Sequence, residues 1–116
     1  MTTLYGLNNC STCKKAMAWL DARGVSYDFI DYREHPIDPA LLPGWAAELG
    51  GWEKLVNRAS MTWRNLPEAR KSPAGQDEWL ALVAEFPALV RRPVLVQGGQ
   101  VHVGFTERKY AALFGA

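Results

Sequence analysis

The run Asn8-Asn9-Cys10-Ser11-Thr12-Cys13-Lys14-Lys15 holds both cysteines of the 116-residue chain. Two thiols separated by two residues support three kinds of chemistry: half of a zinc site, a short structural staple, or a redox pair that exchanges with other disulfides. A closed zinc site wants about four nitrogen or sulfur ligands. The further candidates, His35 and His102, stand alone, with neither a second CxxC nor an H-x-x-x-H spacing, so no metal site is expected. A staple across so few residues closes too small a loop to restrict the unfolded chain much. The redox pair is the reading that the spacing favours.

The flanking residues say how such a pair would be held. Thr3-Leu4-Tyr5-Gly6-Leu7 is short, apolar and β-prone, and predicts a strand. After an Asn8-Asn9 turn, Cys13, Ala16, Met17 and Leu20 recur at the spacing of one buried helix face. Gly24 supplies the stop, with Val25 as the apolar contact beyond it. Cys10 therefore falls at a helix start and Cys13 one turn in. A sulfur at a helix N-terminus meets unpaired backbone N–H groups and the positive end of the dipole, and both favour thiolate. Lys14 and Lys15 add positive charge nearby. A lowered pKa raises the thiolate fraction but lowers intrinsic nucleophilicity, so attack gains little. The larger gain is that Cys10 becomes a good leaving group when Cys13 or an external thiol resolves a mixed disulfide.

Ser26 to Tyr32 alternates as a second strand, so the first third reads as a parallel strand pair joined by a helical crossover. Near the other end, Val94-Leu95-Val96 and Gln100-Val101-His102-Val103 flank Gln97-Gly98-Gly99-Gln100, a hairpin signal. Thr106 is placed to cap a last helix in which Tyr110, Leu113 and Phe114 share a face. The Trp-rich stretch between is expected to be mostly helical, an insertion of approximately 38–90. One helix runs through Leu41, Leu42, Trp45 and Leu49 to Gly50-Gly51, with its start blurred by Pro43. A second, short helix spans Trp52 to Asn57. A third is capped by Asp77, carries Trp79, Leu82, Val83 and Phe86, and stops near Pro87. The tryptophans are read as core rather than as a stacking surface. The order βαβ, helical segment, ββα is that of an α/β, thioredoxin-like fold, with residues 1–116 forming one domain.

Composition removes several function classes. An apolar fraction of 48% and a charged fraction of 22% are ordinary for a globular protein. A net charge of +1 gives no support to direct nucleic-acid binding. The N-terminus shows no signal peptide, and no apolar run approaches the roughly 18 residues of a membrane span. A cytoplasmic protein with reduced thiols, monomeric by default for this size, is expected.

Three stretches carry a resemblance: TLYGLNNCSTCKKAMAWL, LVNRASMTWRNL, and FPALVRRPVLV followed by a short hairpin and Gly104-Phe105. Together they resemble the ArsC family of thioredoxin-like proteins, most of all its YffB-like branch, and are also similar to the Spx-like regulators. The resemblance implies that Cys10 is the catalytic cysteine. It implies too that Arg92 matches an arginine that contacts the oxyanion in arsenate reductases, and that Pro93 matches the proline that is cis beside the cysteines. A cis-proline turns the backbone toward a ligand, and the preceding arginine offers paired N–H donors to a carboxylate or oxyanion. Arg58 lies near the place of a further arginine of the middle segment. Arsenate reductases carry another just after the hairpin, where this chain has Gly104-Phe105, and they typically lack a cysteine at the Cys13 position. Losing a cation from a site for a compact, multiply charged oxyanion weakens binding by about a few kcal/mol, which disfavours arsenate as substrate.

Two readings follow. In the first, the chain is a glutathione-dependent thiol–disulfide reductase with catalytic residues Cys10, Cys13 and Arg92. Asn9, Lys14, Arg58, Arg92 and Pro93 bind the substrate. No cofactor is bound, and glutathione is the co-substrate. In the second, the CxxC is the redox switch of an Spx-like regulator that binds the C-terminal domain of the α chain of RNA polymerase.

Overall fold

The computed structural model describes residues 2–115. The elements divide between two compact units, one made of the residues up to His35 together with those from Arg92 onward, the other of Pro36–Arg91.

The first unit is built on a four-stranded sheet of order β2-β1-β3-β4. Strand β1 (Thr2–Gly6) leads into helix α1 (Ser11–Ala22), which returns to β2 (Asp28–Asp31). Leu4 pairs with Phe29 and Gly6 with Asp31 in the parallel β1–β2 ladder. On its other side β1 runs antiparallel to β3 (Val94–Gln97), with Leu4 opposite Leu95. A two-residue turn joins β3 to β4 (Gln100–Val103). Its residues Gly98 and Gly99 have φ of 56° and 83°, the left-handed pair that a type I′ turn requires. The expected βαβ and ββα halves are present, with strands shifted from the expected Thr3–Leu7 and Ser26–Tyr32.

Helix α1 ends as a Schellman motif. The Val25 N–H donates to the Leu20 carbonyl at 3.0 Å and the Gly24 N–H to that of Asp21 at 3.1 Å, with Gly24 at φ 68°. Its buried face is Cys13, Ala16, Trp19 and Leu20; Met17, expected on that face, is half-buried, and Trp19 takes the deeper place. The last helix, α6 (Glu107–Phe114), is capped by Thr106, whose hydroxyl accepts the Lys109 N–H at 3.0 Å. Leu4, Ala16, Trp19, Leu20, Leu95 and Tyr110 form the core of this unit, and Leu113 and Phe114 pack against it. Tyr110 meets Trp19 edge-on at 5.7 Å and Phe105 at 4.7 Å.

The second unit is helical. Helix α2 (Leu42–Leu49) follows a turn of 3₁₀ helix at Pro39–Leu41 and ends at Gly50, φ 96°. Helix α3 (Trp52–Leu55) is shorter than the expected span to Asn57. A further one-turn helix, α4 (Met61–Arg64), is capped by Ser60, whose hydroxyl accepts the Trp63 N–H at 3.2 Å. Helix α5 (Gln76–Glu85) starts at Gly75, not at Asp77. Asp77 lies in its first turn instead, where its charge still favours the dipole. Trp79 stacks against Trp52 at 6.0 Å and against Trp63 at 5.9 Å, so the tryptophans are packing residues of this unit.

Among the described residues, no helix is long and apolar enough to cross a membrane. No group of three or more His, Cys, Asp or Glu among them is arranged to hold a metal ion.

Candidate redox site

The site lies in the first unit, where β1 turns into α1. The Cys10 N–H donates to the Leu7 carbonyl at 3.2 Å and closes the turn. Cys10 is the N-cap of α1 in extended backbone, φ −89° and ψ 122°, and its carbonyl accepts the Lys14 N–H at 3.0 Å. Cys10 is half-buried, Cys13 is fully buried, and neither is in a disulfide.

Environment separates the two thiols. Burial pushes the Cys10 thiol up, but the Cys13 N–H, the Cys13 thiol, the Thr12 N–H and the Arg92 charge together outweigh it and hold its pKa below the ordinary value. Cys10 closes no capping hydrogen bond of full geometry; the N–H groups act on its sulfur as oriented dipoles. Cys13 is pushed up to about 12. Burial is the main cause; a backbone hydrogen bond from Leu7 opposes it, the Cys13 hydrogen bond to Cys10 and the Cys10 charge reinforce it, and Arg92 partly offsets it. The pair is therefore asymmetric: Cys10 is biased toward thiolate, and Cys13 is a buried thiol that holds its proton.

Arg92 is half-buried, and its peptide bond to the buried Pro93 is cis. Its charge acts on both sulfurs, so the structure brings Cys10, Cys13 and Arg92 together. Pro93 is tied to the end of the hairpin by its carbonyl, which accepts the Gly104 N–H at 3.0 Å. Asn9 and Lys14 are exposed beside the cysteines. Against burial, the Cys10 thiol is lowered by the Cys13 N–H, then the Cys13 thiol, the Thr12 N–H and, least, the Arg92 charge, whereas Lys14 and Lys15, expected to contribute, face solvent. Arg58 belongs to the second unit, exposed in the turn that Asn57 organises by accepting the Ala59 N–H at 3.0 Å.

Three residues not singled out in the sequence also build the site. Tyr32, only 2% exposed, follows β2 and donates its N–H to the Gly6 carbonyl at 3.1 Å; burial raises its phenol to about 12, with Arg92 opposing. Asp31 is also buried, and its carboxylate accepts the Asn8 N–H at 3.1 Å and the Arg33 N–H at 2.8 Å. The bond to Asn8 ties the turn carrying Cys10 to the end of the neighbouring strand. Gly6 lies against Cys13, and a Cβ on it would sit 2.6 Å from the Cys13 sulfur. The one sequence signal for any of them is the single glycine within an otherwise β-prone run, which often marks a close approach.

The sequence model of the ArsC family matches residues 5–113. The chain belongs to the ArsC family. Among solved structures, a YffB protein superposes with a TM-score of 0.89 at 43% identity, covering 97% of each chain. An arsenate reductase (ArsC) related protein from Brucella melitensis superposes with a TM-score of 0.77 at 38% identity, over 99% of this chain and 95% of the other. The global transcriptional regulator Spx of Enterococcus faecalis is 30% identical over 92% of this chain and 81% of its own length. The α/β, thioredoxin-like architecture of this ArsC-family chain is thus shared across a reductase-related branch and a regulator branch. At the position after the hairpin where the resemblance expects a further arginine, this chain has Gly104, at φ 77°, and Phe105 packed on Tyr110.

Proposed function

We propose that this ArsC-family chain is a glutathione-linked thiol–disulfide reductase. The observation that carries the reading is the asymmetry of the pair: Cys10 favours thiolate, while Cys13, one turn away and buried, holds its proton. The Cys10 thiolate attacks one sulfur of a disulfide or glutathione mixed disulfide; a Cys10–S–S bond forms, the substrate S–S bond breaks, and the departing thiolate takes up a proton. A second thiol then attacks the Cys10 sulfur or its partner. If Cys13 does so, it loses its proton, a Cys10–Cys13 disulfide forms and the bound thiol leaves. Two glutathiones reduce that disulfide and become oxidised glutathione. Once Cys10 is in a mixed disulfide, its charge no longer raises the Cys13 pKa, although burial still does. External glutathione is therefore the faster resolving thiol. Arg92 offers paired N–H donors to a carboxylate of the glutathione moiety, with the backbone beside Pro93 and exposed Asn9 and Lys14 at the rim.

Arsenate fits less well, because Gly104-Phe105 supplies no cation where arsenate reductases carry one. The likeness to Spx favours one other reading, a redox-switched regulator that engages the C-terminal domain of the polymerase α chain.

The test follows NADPH consumption with excess glutathione, glutathione reductase and a small glutathione mixed disulfide, beside Cys10→Ser and Cys13→Ser. The proposal expects turnover that is lost in Cys10→Ser and retained, at a changed rate, in Cys13→Ser. Turnover equal to the Cys10→Ser background overturns it. A pull-down with the polymerase domain in oxidised and reduced states then tests the regulator.

A further inference from the structure

Among the described residues, Asp31 is the one buried side chain that carries a charge. A carboxylate taken out of water is costly unless its oxygens are satisfied. Here backbone donors meet both: Oδ2 accepts the Asn8 N–H at 3.1 Å, and Oδ1 accepts the Arg33 N–H at 2.8 Å. The two donors belong to different segments. Arg33 is in the turn after β2, which the Asp31 carbonyl closes by accepting the Glu34 and His35 N–H groups at 3.1 and 2.9 Å. Asn8 lies 23 positions before Asp31, in the turn between β1 and α1. Register makes the reach possible. Gly6 stands opposite Asp31 in the parallel ladder, so the chain leaving β1 for Cys10 starts beside the carboxylate.

We propose that Asp31 is a positioning residue of the redox site: its carboxylate clamps the Asn8 N–H and so fixes the turn that sets the Cys10 sulfur at the start of α1. The assignment rests on the reading of Cys10 as the reacting thiol. A carboxylate suits the place better than an amide does. Two backbone N–H groups converge on one side chain, and an ionised carboxyl group offers two acceptor oxygens and no donor. An asparagine would turn its NH₂ toward one of the two donors, and one tie would be lost. A freed turn lets the Cys10 sulfur drift from its neighbours. Against burial, those that hold its pKa down are the Cys13 N–H and thiol, the Thr12 N–H and, least, the Arg92 charge.

The pH profile of Cys10 alkylation by iodoacetamide, read by intact mass, reports the thiolate without any substrate. In Asp31→Asn the profile is expected to move to higher pH, with severalfold slower alkylation near neutrality. The sign is diagnostic, because removing a negative charge alone would move it to lower pH. Leu82→Ala serves as the control. It opens a cavity at a buried position of α5 in the helical unit, so it lowers stability without touching the turn and should leave the profile in place. An Asp31→Asn profile that stays or moves to lower pH overturns the proposal, and so does an equal shift in Leu82→Ala.

A second measurement needs no substitution and holds even if Asp31→Asn fails to fold. In the wild-type protein, amide hydrogen exchange followed by NMR is expected to show the Asn8 N–H strongly protected, although the residue is exposed. Exchange of that N–H at the open-chain rate overturns the clamp. Absence of glutathione-linked turnover would sink the reductase reading and leave both of these outcomes readable.

Discussion

The Cys13 sulfur lies against the backbone of Gly6, so close that any Cβ at Gly6 would stand 2.6 Å from it. Gly6 ends β1, pairs with Asp31 and accepts the Tyr32 N–H. The buried thiol, the central strand and the backbone of the buried Tyr32 thus meet at one residue that has no side chain.

Gly6→Ala is therefore expected to act on both stability and chemistry. Something must shift to admit the methyl group beside the buried Cys13 side chain, so overpacking should cost about 1–3 kcal/mol. The displaced Cys13 thiol should also donate less well to Cys10. Urea unfolding is expected to show the lost stability, and the alkylation profile of Cys10 should move to higher pH. An alanine variant with wild-type midpoint and profile would mean that Cys13 shifts freely.

Which parts of this arrangement were legible in the sequence follows from how far each signal reaches. The cysteines at a strand-to-helix junction, the Gly98-Gly99 turn, the Thr106 cap and the Gly24 stop are local, decided within a few residues by backbone conformation. The Arg92–Pro93 pair became legible through resemblance. Helix α4 escaped because one turn is too short to show a period, and α5 starts earlier than its first acidic residue suggested, with the Gly75 carbonyl accepting the Glu78 and Trp79 N–H groups. Tyr32 and Asp31 read only as alternating strand residues. The Asn8 N–H that Asp31 holds lies 23 positions away in the chain, the Gly6 carbonyl that holds Tyr32 lies across the sheet, and no local pattern encodes such pairings.

Asp31 yields a prediction with a defined sign. Burial pushes its carboxyl up, but the Arg33, Asn8 and Glu34 N–H groups and the Arg33 charge outweigh it and hold its pKa below the ordinary 3.8. A carboxylate with a depressed folded pKa contributes stability above its unfolded value, and that stability is lost as pH falls through the folded one. Asp31→Asn should lower the melting temperature at neutral pH, with the difference from wild type closing as both are acidified below about pH 4. It should also slow turnover, because the Asn8 turn that carries Cys10 loses its anchor. A melting difference that persists unchanged into acid would assign the loss to packing rather than to the carboxylate.

The alkaline limb tests the buried thiol. Cys13 has an ordinary value of 9.0 and is raised to about 12 in the fold, so between those values the unfolded chain has released a proton that the native protein keeps. Stability must then fall with rising pH across that window, and it is fully present below it. Tyr32, raised from 10.0 to about 12 by burial, acts in the same direction. Cys10 acts oppositely: its pKa is lowered, so its contribution grows as pH rises through its folded value and is complete above the ordinary one. Urea unfolding from about pH 8 to about pH 11 should therefore show stability turning downward past the ordinary thiol range. In Cys13→Ser the descent should be shallower, by up to about 1.4 kcal/mol per pH unit, the limit for one proton. Parallel descents in the two proteins would mean that Cys13 ionises in the fold as it does in the open chain. The asymmetry on which the reductase reading depends would go with it.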